Sequence, residues 1–154
     1  MIIKDVYTEF MDSREELMDG LKKHLKLDIF QYSNKEIDLV QQFFEKHFEE
    51  PAHINMNSKE LNDTCGAYFG TAFLWHFGGK WQMNSDKSHD DFGLPQIVEY
   101  RGKGFIWIPF TPFDWLYFIE SEQLDERIVA MFRRWHNYHA NHPEYKLTPV
   151  RNYQ

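Results

Sequence analysis

Cysteine is almost absent from this sequence, in which Cys65 is the single cysteine among 154 residues. An intrachain disulfide is therefore excluded, and the apolar stretch around Cys65 is typical of a buried, unreactive thiol in a reducing compartment. Long apolar runs are missing too, since no segment approaches the roughly 20 residues that a membrane-spanning helix needs. The N-terminal segment MIIKDVYTEF lacks the basic and apolar regions of a signal peptide. We expect a cytoplasmic protein that neither spans a membrane nor is secreted.

Basic side chains are outnumbered, with 17 Lys and Arg against 24 Asp and Glu and a net charge of −7 at pH 7. The excess of acidic side chains lies mostly in the first part of the chain. Residues 1–64 hold 8 basic and 14 acidic side chains, whereas residues 65–154 hold 9 basic and 10 acidic side chains. A protein that binds duplex DNA needs a stripe of Lys and Arg to displace counterions, and none is present. We therefore expect no nucleic acid ligand, while the acidic N-terminal part suits a basic protein partner.

Aromatic residues are abundant, with 14 Phe, 8 Tyr and 5 Trp. β-branched aliphatic residues are sparse, so rings must fill much of the core, which argues against disorder. A chain of this length can bury roughly 70% of its unfolded surface in one domain, so it needs no disulfide or metal ion for stability. We expect a single globular domain over residues 1–154.

Helical periodicity dominates the first half of the chain. Leucines recur four residues apart over residues 13–27, with Asp12 or Ser13 as the expected N-cap. Ser33 and Glu36 form a capping box for a second helix, which ends before Pro51.

A third helix is predicted after Asn57 and ends at Gly78, a residue suited to the left-handed position that closes a helix. Gly66 and Gly70 lie four residues apart on one side of this helix. Because they lack side chains, we expect them to form a tight packing face that another backbone approaches closely.

In the second half of the chain, the spacing of apolar residues changes from that of a helix to that of short strands. Strands are predicted at residues 80–84, 96–100 and 105–110, with a polar loop at 85–93 and a Gly-containing turn at 101–104 that makes a hairpin. Helices follow at 112–120, capped by Thr111, and from Glu122 or Leu124 to 141. Helices, then a small antiparallel β-meander, then a C-terminal helix predict an α+β fold.

Few residues suggest catalysis. His136, His139 and His142 recur three residues apart, and His136 with His139 could share a metal ion, although histidines near a helix C-terminus also favour its dipole. The loop at residues 86–91 contains a His/Asp pair without the spacing of a calcium loop. No nucleotide, hydrolase or zinc motif occurs. We expect no cofactor and no catalytic residue, with a small metal-dependent enzyme using these histidines as the alternative.

An acidic face of the first two helices is the main candidate for function, with Glu15, Glu16 and Asp19 on the first helix and further acids along the second. We predict that it binds a basic protein partner with exposed rings as anchors, since complementary charge speeds encounter and buried rings hold a complex. The predicted contact residues are Asp38, Glu45, Glu49, Glu50, Trp81 and Trp107. A structural subunit of a homo-oligomer is a further alternative, so a monomer and a homodimer both remain open.

Residues 60–120 resemble a group of small uncharacterised bacterial domains in which a helix bearing G-x-Y-x-G runs into G-G-x-W. Here the first motif spans Gly66 to Gly70, the second spans Gly78 to Trp81, and a Pro-Phe step follows at Pro109. Members often carry an acid directly after the second Gly, where this chain has Thr71. Some of these domains are regarded as immunity proteins of bacterial toxin systems, so the resemblance implies an α+β fold and an inhibitory binding function.

Overall fold

The computed structural model describes residues 5–100 and 109–141. Over these residues the chain forms five α-helices, one short 3₁₀ helix and a two-stranded antiparallel sheet. In chain order the elements are α1 (Val6–Leu25), α2 (Asn34–His47), the 3₁₀ helix (Pro51–Ile54), α3 (Ser58–Phe77), β1 (Lys80–Met83), β2 (Pro95–Val98), α4 (Pro112–Glu120) and α5 (Ile128–Asn141). The predicted α+β class with a C-terminal helix is confirmed.

The first helix is longer than its leucine pattern predicts. Its N-cap is Asp5, whose carboxylate accepts a hydrogen bond from the Thr8 backbone N–H at 2.7 Å. The predicted start at Asp12 or Ser13 is therefore wrong, because the leucine spacing did not include Phe10 and Met11, which extend the buried side of the helix toward its N-terminus. The helix ends at Leu25, where Lys26 adopts a left-handed conformation with a φ of 56°.

The predicted caps of the next two helices are confirmed. Ser33 accepts from the Glu36 backbone N–H at 3.1 Å and starts α2, and Asn57 caps α3 in the same way. The Glu36 carboxylate, however, reaches past Ser33. It accepts from the backbone N–H groups of Gln31 and Tyr32 and from the Tyr68 hydroxyl at 2.8 Å, so this buried charge ties α2 to α3.

Helix α3 is the centre of the core and contacts α1, α2 and α4. Gly66 lies against the ring of Phe113, and Gly70 lies against the indole of Trp81. Phe10 of α1 contacts both rings edge to face, with centroids 5.4 and 5.2 Å away. The expected tight packing face exists, but aromatic side chains occupy it instead of a second backbone.

Helix α3 ends at the predicted residue, but that residue has a different backbone conformation from the expected one. Gly78 closes the helix with a φ of 73°, a value that favours glycine, but its ψ of −165° lies outside the left-handed helical region that was expected. Cys65 is fully buried, and burial raises the pKa of its thiol, which makes the group unreactive as predicted.

The sheet is a hairpin in which Lys80 pairs with Val98 and Met83 pairs with Pro95. Its strands are shorter than the predicted 80–84 and 96–100. Phe110 forms an antiparallel bridge to Ile97, so a third segment does join β2. The remainder of the predicted strand, 105–108, and the whole of the predicted turn at 101–104 lie outside the described residues.

Helix α4 begins and ends where predicted, and Thr111 caps it. Helix α5 begins at Ile128, so the predicted start at Glu122 or Leu124 is wrong. Residue Glu122 has a φ of 57° and belongs to the connection between the two helices. Within the described part of the chain, no helix is both long enough and apolar enough to cross a membrane.

Candidate functional site

One face of α2 holds the N-terminus of α5. Asp38, Gln41 and Glu45 are separated by three and four residues and therefore lie on the same side of the helix. The buried Gln41 side chain accepts a hydrogen bond from the Ile128 backbone N–H at 2.8 Å. An N-terminal N–H group of a helix has no partner within the helix, so Gln41 caps α5 from a different element.

Arg127, the residue before α5, lies between the two carboxylates of this face. Its Nε donates to Asp38 at 2.6 Å, and its Nη1 donates to Glu45 at 3.1 Å. The third nitrogen, Nη2, is buried and has no hydrogen-bond partner in the structure. The predicted contact residues Asp38 and Glu45 are thus brought together, but both are engaged with a cation of the same chain.

These contacts set the charge states of the pair. Burial alone would raise the pKa of Asp38, but hydrogen bonds from Arg127 and Gln42 and the charge of Arg127 lower that pKa below its ordinary value. Burial acts to lower the pKa of Arg127, and its hydrogen bonds to Asp38 and Glu45 raise that pKa instead. Both groups are therefore ionised at neutral pH.

Beside Arg127, a cleft of about 390 Å³ opens between α2 and the α4–α5 connection. Four of its lining residues are acidic, and Arg127 is the basic one; the four are Glu45, Glu122, Asp125 and Glu126. Glu126 is bonded to Arg134 of α5, whereas Glu122 and Asp125 are exposed.

Apolar side chains complete the cleft. Phe118, Ile119 and Leu124 also line it, and Phe118 is 38% exposed. Its neighbour Tyr117 is 60% exposed and contacts it edge to face. The cleft therefore combines carboxylates with an accessible ring, which is the surface that the side chain of a Lys or Arg needs, since its alkyl stem is apolar and its head is charged.

The other predicted contact residues lie elsewhere. Glu49 and Glu50 are exposed beyond the end of α2, and Glu50 pairs with His53 at 2.9 Å. Trp81 is only 8% exposed, so its ring packs in the core and does not offer a surface anchor. Trp107 lies outside the described residues.

Of the histidines in the metal alternative, the structure describes the side chain of His136. His136 lies against His76 of α3, with 2.9 Å between His136 Nε2 and His76 Nδ1. His76 Nε2 donates to the Tyr32 carbonyl at 2.7 Å, so in a neutral His76 the Nδ1 atom accepts from His136. The side chains of His139 and His142 lie outside the described residues. In residues 5–100 and 109–141, no three His, Cys, Asp or Glu side chains are grouped so that they could hold a metal ion.

The loop at residues 86–91 approaches the start of α4. His89 Nδ1 accepts from the Asp91 backbone N–H at 3.0 Å. Burial, together with the nearby charge of Asp91, raises the pKa of Asp114 to about 6, against a partial opposing effect of His89. The predicted His/Asp pair therefore gains a second carboxyl from α4.

Sequence reasoning missed Gln41 and Arg127, because their roles depend on residues far along the chain. The acids of residues 122–126 did carry a signal, since three of these five positions are acidic where the last helix was predicted to start. Comparisons with protein-family models, with curated proteins and with solved structures gave no match. The geometry of the site is therefore the basis for assigning a function.

Proposed function

We propose that this chain is a cytoplasmic binding protein that takes up a basic segment of a partner protein in the acidic cleft. The observation that supports this function is the juxtaposition of Glu122 and Asp125, both exposed, with the partly exposed Phe118 in one concavity. The G-x-Y-x-G motif resembles that of domains regarded as immunity proteins, and a protein of that class would use such a cleft to neutralise a toxin.

The internal ion pairs leave the cleft negatively charged. One cation, Arg127, faces two carboxylates, Asp38 and Glu45, and Arg134 balances Glu126. A Lys or Arg that enters the cleft would add the missing positive charge beside Glu122 and Asp125. Its alkyl stem would lie on Phe118, where removal of water strengthens the ionic contacts.

A matched pair of double variants tests the proposal. The cleft variant is Glu122→Gln with Asp125→Asn, and the control is Glu15→Gln with Asp19→Asn on α1. Each removes one Glu and one Asp charge from exposed positions. Binding of a short peptide rich in Arg, Lys and Leu is measured by isothermal titration calorimetry at about 0.15 M ionic strength, where charges beyond roughly 8 Å are screened.

We expect the cleft variant to lose about tenfold in affinity, since two ionic contacts of roughly 0.5–1 kcal/mol each are removed. The control should change less than about twofold, because its charges lie outside the cleft and are screened. Equal losses in the two variants would show that the peptide responds only to net charge. That result, or absence of saturable binding to the unmodified protein, would contradict the proposal.

A further inference from the structure

A second concavity lies where the C-terminal turns of α1 and α2 meet the 3₁₀ helix. Its volume is about 430 Å³, within the range of sites that hold small molecules. Its walls are apolar, with Leu25 from α1, Leu39 and Phe43 from α2, and Ile54 from the 3₁₀ helix. Three of these four side chains are partly exposed, so apolar surface faces solvent inside the cavity.

The polar groups of this cavity are basic. His24, Lys46 and His47 line it, and Gln42 is its remaining polar residue, so no carboxylate is part of the lining. The two imidazoles flank one ring, because the centroid of Phe43 lies 5.7 Å from His24 and 4.9 Å from His47. Although the chain has a net charge of −7, this cavity therefore combines basic side chains with apolar walls.

The surrounding charges do not neutralise this site. Burial lowers the pKa of His47, and repulsion from Lys46, His24 and His53 lowers it further. Two carboxylates of the neighbouring segments are engaged elsewhere, since Glu50 pairs with His53 and Asp38 bonds Arg127 and Gln42, while Glu49 is exposed beyond the end of α2. The basic groups Lys46, His24 and His53 therefore disfavour the charged form of His47, and an anion bound beside His47 would offset that repulsion.

Helix dipoles explain part of this arrangement. His24 lies in the last turn of α1, and Lys46 and His47 lie in the last turn of α2, where cations stabilise the negative end of a helix. That role accounts for the charges but not for an apolar cavity between them. Exposed apolar walls with a cationic rim are the features of a pocket for an amphipathic anion.

We infer that this cavity binds a small organic anion with an apolar body and a carboxylate head. The body would contact Leu39, Phe43 and Ile54, and the head would pair with Lys46 and His47. This site is separate from the acidic cleft, and its ligand has the opposite charge to the partner proposed there.

Octanoate is a suitable probe, and 1-octanol is its uncharged counterpart with a chain of the same length. Binding of each is followed by two-dimensional NMR of the labelled full chain, with octanoate kept below its micelle concentration. At a pH low enough to protonate His47, we expect saturable shifts at residues 39–47 and an affinity for octanoate about tenfold higher than for octanol, as two ion pairs at the cavity rim would provide. The His47 pKa should rise when octanoate is bound, so its affinity should fall as the pH is raised through the titration of that histidine.

Two double variants identify the groups responsible. Lys46→Gln with His47→Gln should remove the preference for octanoate over octanol, whereas Lys35→Gln with His89→Gln removes the same types of charge outside the cavity and should keep it. Equal affinities for octanoate and octanol in the unmodified protein would overturn the inference. So would equal loss in the two variants, or co-sedimentation with anionic phosphatidylglycerol vesicles without binding of monomeric octanoate.

Discussion

Replacing Gly70 by Ala tests whether the G-x-Y-x-G motif serves packing. A Cβ at Gly70 would overlap the six-membered ring of Trp81, and carbon atoms normally lie about 3.5–4.0 Å apart. The ring has little room to move, because Trp81 is only 8% exposed and contacts Phe10 with centroids 5.2 Å apart. Overpacking of this kind destabilises by about 1–3 kcal/mol, while the better helix propensity of Ala returns up to about 1 kcal/mol.

We therefore expect Gly70→Ala to lower the free energy of unfolding by about 1–2 kcal/mol, which is a fall in Tm of roughly 2–8 °C for a chain of this size. Urea denaturation followed by tryptophan fluorescence measures this change. The matched control is Gly20→Ala in α1, where an added Cβ would meet nothing within 4 Å. That variant should stabilise by about 0.5–1 kcal/mol. If Gly70→Ala stabilised the protein as much as Gly20→Ala, the packing account of the motif would be refuted.

Three further predictions concern polar groups. A double-mutant cycle of Glu36→Gln and Tyr68→Phe should give a coupling energy of about 1–2 kcal/mol in urea denaturation, since the hydroxyl donates to a buried carboxylate; a value near zero would contradict that contact. The pKa of Asp114 is raised from 3.8 to about 6, so ionisation of this carboxyl destabilises the fold as the pH rises. The Asp114→Asn variant should therefore be about 1 kcal/mol more stable than the unmodified protein near pH 7.5, a figure that allows for solvent screening. Near pH 4 the two proteins should be equally stable. An equal effect at both pH values would contradict this linkage. Protein purified without a His-tag should contain no stoichiometric zinc, because His136 is hydrogen-bonded to His76; zinc that is lost on His136→Ala, by elemental analysis, would favour the metal alternative.

Helix boundaries that depend on local chemistry were predictable. Ser33, Asn57 and Thr111 each accept a hydrogen bond from a backbone N–H two or three residues later, so their effect can be deduced from a short stretch of sequence. The start of α5 was not predictable in this way. Its N-terminal cap is the side chain of Gln41, 87 residues earlier in the chain, and no local pattern encodes such a partner.

The candidate site, too, was predictable from the sequence only in part. The charge distribution predicted an acidic face on the second helix, and the structure brings Asp38 and Glu45 to one side of α2, whereas Glu49 and Glu50 lie beyond its end. The sequence could not reveal that Arg127, more than 80 residues away, lies between them. Trp81 was a plausible surface anchor by residue type, but the absence of a side chain at Gly70 makes room for its ring in the core.

The two concavities of α2 have opposite electrostatic character. Glu45 lies in the acidic cleft and Lys46 lies in the basic cavity, although they are adjacent in sequence. Consecutive residues of a helix point about 100° apart, so one helix can form part of two separate sites. Binding of a basic peptide and binding of octanoate should therefore be independent, apart from screened long-range effects.

The most direct test of the acidic cleft is to map where a basic peptide lands on the folded chain. The backbone amides of the labelled protein are followed by NMR as the Arg-, Lys- and Leu-rich peptide is added. The account predicts that the largest saturable shifts occur at Glu45 and residues 118–127, with little change at residues 15–19 of α1. Shifts of equal size along α1, or shifts that never saturate, would contradict a specific acidic binding site.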